Sequence, residues 1–171
     1  MSDQFLTILL RLFHILGGIF WVGTMILLAA FLLPTARATG REGGRFLQYL
    51  MRQQRLQIYL AVAMLATVLS GIIMYGRLAA ATHGAWAGSP PGIAYGFGAV
   101  AAILAAAIGG SIGSSAGRKL MAVGQAIGAG GPTPEQQAEL VRLQNRMALG
   151  ARLAASLLIV AAGAMAIGRY L

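Results

Sequence analysis

Four long apolar runs divide the chain, at residues 5–33, 56–76, 92–115 and 148–168, and nearly all the charge lies between them. Each run is near or above the ~20 residues that cross a hydrocarbon core. A backbone in lipid must close its own hydrogen bonds, so all four are expected to be helices. The predicted fold is all-α, a four-transmembrane-helix bundle forming one integral membrane domain over residues 1–171.

Local signals refine the ends. Ser2 and Asp3 can cap the first helix, Pro34 is expected to end it, and Pro90-Pro91 to break the chain before the third. Thr133-Pro134-Glu135-Gln136 combines a capping residue, proline at the first helical position and glutamine two residues later, which reads as a capping box. A helix of about 35 residues from that point rises about 52 Å, so its first turns should project into water. Arg45, Gln48, Arg52 and Arg55 recur at helical spacing, so the second helix is expected to begin ahead of its apolar part. The stretch 124–134, GQAIGAGGPTP, reads as a flexible linker.

Composition agrees with the pattern. Hydrophobic residues make up 58% of the 171 residues and charged ones 10%, with a mean hydropathy of +0.74. A soluble domain carries about a quarter charged residues, so that class is excluded. Ala36-Arg37-Ala38 matches a signal-cleavage pattern, but the MSDQ start is acidic and the run behind it is too long, so the first helix should be retained. There are no cysteines, which removes disulfides, thiolate metal sites and cysteine nucleophiles.

The net charge of +9 matters through its placement. Loop 34–55 holds Arg37, Arg41, Arg45, Arg52 and Arg55, and 116–147 holds Arg118, Lys119, Arg142 and Arg146, whereas Arg77 stands alone in the middle connection. Both basic loops should be cytoplasmic and both termini outside. Their expected partners are the lipid bilayer and its anionic head groups, with no nucleic acid, since no aromatic-basic motif accompanies them.

Chemistry concentrates on the first helix. Thr7, Arg11, His14, Gly18, Trp21 and Met25 are spaced 4, 3, 4, 3 and 4, so they share one face, which should line the bundle interior. Arg11 lies close enough to the helix start to snorkel. His14 is deeper, and four roles are open to it: axial haem ligand, copper ligand, proton relay, or a histidine hydrogen-bonded across the bundle to Ser70 or Thr67. The candidate cofactor-binding residues are His14, Arg11 and Trp21; for a metal they are His14 and Met25. HExxH, GxSxG and GxxxxGK[ST] are all missing from the sequence. Gly109, Gly113 and Gly117 form a small-residue ladder, either packing the third helix on the fourth or joining the chain to a second copy or a larger membrane complex.

His14, Trp21 and Gly23, as His-x6-Trp-x-Gly, resemble the opening helix of CopD-like (copper-resistance D related) bacterial four-helix integral membrane proteins, and the continuation FLLPTARATGREGGRFLQYLMRQQRLQIYLAVAMLATVLSGIIMYGR looks more like their poorly characterised relatives. The His…Trp-x-Gly motif is also similar to that of a membrane-embedded protoporphyrinogen oxidase family. The CopD resemblance covers the first two helices; the rest is alike in hydropathy alone. It implies a small protein of the bacterial inner membrane that binds or passes a metal ion or haem, with copper resting on His14 and the span methionines. The competing expectations are a non-catalytic accessory subunit of a larger respiratory or photosynthetic membrane complex, and a membrane oxidoreductase.

Overall fold

The computed structural model describes residues 3–127 and 131–171, and only the backbone at 113 and 114. Five helices follow in order: α1 (Asp3–Ala38), α2 (Gly40–Arg52), α3 (Leu56–Ala81), α4 (Pro90–Gln125) and α5 (Pro134–Ile167). All but α2 are long and apolar enough to cross a membrane. The described residues contain no strand, and the fold is the expected all-helical bundle. Ser2, and residues 128–130 of the expected linker, lie outside the described residues.

The helix ends differ from the sequence expectation for local reasons. Pro34 does not stop α1. Over Leu28–Leu32 the helix loosens into π register, with the Leu33 N–H bonded to the Leu28 carbonyl, and it then runs through the proline to Ala38. The basic stretch before α3 is helical but separate, because Arg55 adopts a left-handed conformation (φ 54°) that breaks the chain between α2 and α3. Pro90 and Pro91 begin α4 rather than precede it: Ser89 caps the helix by accepting from the Gly92 N–H at 3.4 Å, and proline suits the first turn. The capping box at Thr133 forms as expected, with Gln136 N–H to Thr133 Oγ1 at 3.3 Å and Thr133 N–H to Gln136 Oε1 at 3.0 Å.

Packing is strongest within two antiparallel pairs, α1 with α3 and α4 with α5. Small residues set both seams. A Cβ on Gly17 would come within 2.7 Å of Thr67 Oγ1, and one on Gly150 within 2.8 Å of Ile112 Cγ2. One on Gly98 would come within 3.2 Å of Ala161 and Ala164. The pairs meet at Trp21 of α1, which is 5% exposed and packs with Ala63 of α3, Ala105 of α4, and Ala154 and Leu158 of α5. One large indole among three alanines lets four helices share a single contact layer.

At the end that carries Asp3, its carboxylate pairs with Arg77, tying the start of α1 to α3. Tyr75 and Trp86 meet edge to face at 5.2 Å, Trp86 stacks on Tyr95 at 6.0 Å, and Gly168 lies against the Tyr95 ring. Tyr75, Trp86 and Tyr95 thus form one aromatic cluster, while Tyr170 is exposed. Around the spans, Phe13, Leu16, Ile19, Ile93 and Phe97 face outward, as lipid-facing side chains do.

Candidate functional site

His14 sits on the α1–α3 seam, three positions before the tight approach at Gly17. Its Nδ1 lies 2.8 Å from the Thr67 carbonyl oxygen, which can only accept, so Nδ1 carries the proton and donates. The Ser70 hydroxyl lies 3.5 Å from the same nitrogen and donates instead to the backbone carbonyls of its own helix. The Cε1–Nδ1 edge of the ring lies against Gly71, where an added Cβ would fall 2.9 Å from Cε1. Thr67, Ser70 and Gly71 together form a slot on α3 around the imidazole; in the neutral ring, the proton on Nδ1 leaves Nε2 as the nitrogen with the lone pair.

The remaining stripe residues diverge along α1. Arg11, one turn toward the Asp3 end, is exposed; His14 and Gly18 are half-buried; Trp21 is buried in the four-helix contact layer. Met25 packs against that same layer. His14 and Met25 are eleven positions apart on one continuous helix, about 16 Å along its axis, so they cannot hold the same ion. Trp21 is likewise about 10 Å beyond His14 and serves the core. Thr67 and Ser70 had been legible as partners. Gly71 and Gly17 had not, because a glycine seated under a ring looks in sequence like any other membrane glycine.

Taken as a ligand set, the slot supplies one imidazole nitrogen. His14 Nε2 could supply one ligand to haem iron or to copper, with the backbone hydrogen bond to Nδ1 in the place such ligands usually carry their orienting contact. It does not fit a complete metal site within a single chain: among the described residues no three His, Asp or Glu side chains come together. His83 lies in the exposed turn after α3.

Gly109 and Gly117 of the glycine ladder make no close approach in the α4–α5 seam, which uses Gly98 and Gly150 instead. A Cβ at Gly109 or Gly117 would meet nothing within 4 Å, and the surroundings of Gly113 lie outside the described residues. Two apolar grooves open on the outer surface. One, of about 250 Å³, lies along the α1–α3 seam between Phe13, Phe20 and Tyr59; the other, of about 720 Å³, lies between α4 and α5 near Phe97 and Ile167.

No family model, curated protein or solved structure matches the chain. The geometry of its own residues is therefore what bears on function.

Proposed function

We propose that this small multi-pass membrane protein of the bacterial inner membrane presents His14 Nε2 as a ligand to haem iron or copper, in the manner the CopD resemblance implies. The observation that supports the reading is the bond from Nδ1–H to the Thr67 carbonyl, which commits the ring to a ligand-ready tautomer. Haem or copper would supply redox or metal-transfer chemistry; the chain's part is to hold the imidazole fixed and exclude water from it. A second ligand comes from a second copy or a partner.

A second reading, an accessory subunit of a larger membrane complex, draws on Gly109 and Gly117, whose close-approach surface is not used within the chain. In that reading His14 is an inter-helix pin. The absorption spectrum and metal content of the purified protein separate the two. A Soret band or stoichiometric copper that is lost in His14→Ala supports the ligand role. A colourless, metal-free protein that co-purifies with a large assembly sinks it and supports the subunit.

A further inference from the structure

The segment joining α1 to α3 is more than a connection. Residues 34–55 contain five arginines and one acidic residue, Glu42. Among the described residues, none of the Arg37, Arg41, Arg45, Arg52 and Arg55 side chains has a carboxylate partner; the described ion pairs are Asp3–Arg77 and Glu139–Arg142. Thirteen of these residues form α2, whose sides differ sharply. At about 100° per residue, Arg41, Arg45 and Arg52 fall within a ~40° strip, with Gln48 beside it. Gly43, Leu47 and Leu50 lie on the opposite side.

α2 is held firmly. Gly40 turns the chain with φ +59°, and a Cβ on Gly43 would overlap Ala36 and Thr39, so α2 presses closely on the last turns of α1. At its other end, Arg55 directly precedes the apolar run 56–76 of α3. The arginine strip is therefore tied within a few residues to the edge of a membrane-spanning segment. Two large side chains between the packed side and the basic strip have no cover from the chain: Phe46 is 54% and Tyr49 56% exposed. Aromatic side chains next to unpaired arginines, at the end of a membrane span, match the chemistry of a phospholipid interface: acyl boundary for the rings, phosphate for the guanidinium groups.

We infer that α2 is an interfacial helix that binds anionic phospholipid, with Arg41, Arg45 and Arg52 as the headgroup-phosphate row and Phe46 and Tyr49 set into the acyl boundary. This inference is independent of His14 and stands whichever function is correct. Its basis is charge complementarity and continuity with the membrane edge. The extension of α4 and α5 differs, because there Glu139 already occupies Arg142.

The test uses the full-length protein in detergent, titrated with phosphatidylglycerol or phosphatidylethanolamine and read by native mass spectrometry. Each basic residue at an anionic surface contributes roughly fivefold, so R41Q/R45Q/R52Q should weaken phosphatidylglycerol binding about a hundredfold. R41K/R45K/R52K should retain most of it, and R118Q/K119Q should leave it within about threefold. Equal affinity for the two lipids, or an unchanged affinity in the triple glutamine variant, overturns the proposal. Displacement of the lipid by inorganic phosphate at matched concentration also overturns it, since the row would then read phosphate from any source.

A second measurement does not depend on those variants. Because the chain has no cysteine, Phe46→Cys and Gln48→Cys can each carry a single spin label in vesicles containing phosphatidylglycerol. The label at 46 should lie below the phosphate level and the label at 48 in the headgroup or water layer. Equal water exposure at both positions contradicts the assignment.

Discussion

The imidazole of His14 depends on a hydrogen atom one helix away. Gly71 has no side chain, so the ring can lie close against α3 and bring Nδ1 to the Thr67 carbonyl. Gly71→Ala places a methyl group 2.9 Å from Cε1 and must tilt the ring or part the helices. The expected cost is about 1–3 kcal/mol, read as a lower thermal midpoint in detergent, with loss of whatever spectrum His14 supports. A stability and spectrum equal to the parent would show that the slot is not tight. Trp21 is a larger test of the same kind. Trp21→Ala removes the indole from the layer shared by α1, α3, α4 and α5 and should destabilise the bundle by about 3–5 kcal/mol. A loss near zero in reversible denaturation would mean that the two helix pairs do not need a common core.

At the scale of the element, α5 shows how far local signals reach. Thr133 and Gln136 satisfy each other's backbone at the start of the helix, and Thr133→Ala should cost about 1 kcal/mol, seen as faster amide exchange over residues 134–137. The first two turns carry two acids with lowered pKa values. Glu135 is held down by a hydrogen bond to its own backbone amide and next by Thr133; Glu139 is held down first by its bond to Arg142. A depressed folded-state value contributes stability above the ordinary value of 4.5, and that contribution disappears as pH falls below it. Both groups are at the surface, so the effect should be local: amide protection at the start of α5 should fall as the pH drops below 4.5, while the Trp21 layer stays protected. Constant protection across that window would exclude the linkage. Elsewhere local signals misled. Pro34 reads as a stop, yet α1 absorbs it by widening into a π turn upstream; Arg45 to Arg55 read as part of one helix, yet a single left-handed residue divides it. Neither backbone adjustment leaves a mark on residue type.

For the whole molecule, the four spans alternate in direction, so the Asp3–Arg77 pair and the Tyr75–Trp86–Tyr95 cluster mark one end, with α2 and the extensions of α4 and α5 at the other. On the arginine distribution, the α2 end is expected to face the cytoplasm. Reporter fusions at Gly44 and Ala126 should report cytoplasm and a fusion at Gly84 the outer side; a cytoplasmic signal at Gly84 would reverse the orientation.

Hydropathy alone determined that this chain is an all-helical bundle with four membrane-long helices, because a backbone in lipid has few other ways to satisfy its hydrogen bonds. Spacing alone put His14, Trp21 and Met25 on one face. Tertiary structure decided what that face does, since rotation and depth depend on the neighbouring helices: Arg11 stays outside, His14 enters a slot made by Thr67, Ser70 and Gly71, and Trp21 and Met25 pack into the core. It also decided which glycines make seams. Gly17, Gly98 and Gly150 do so while Gly109 and Gly117 do not, because a close approach depends on what lies opposite, and sequence records only one side of that contact.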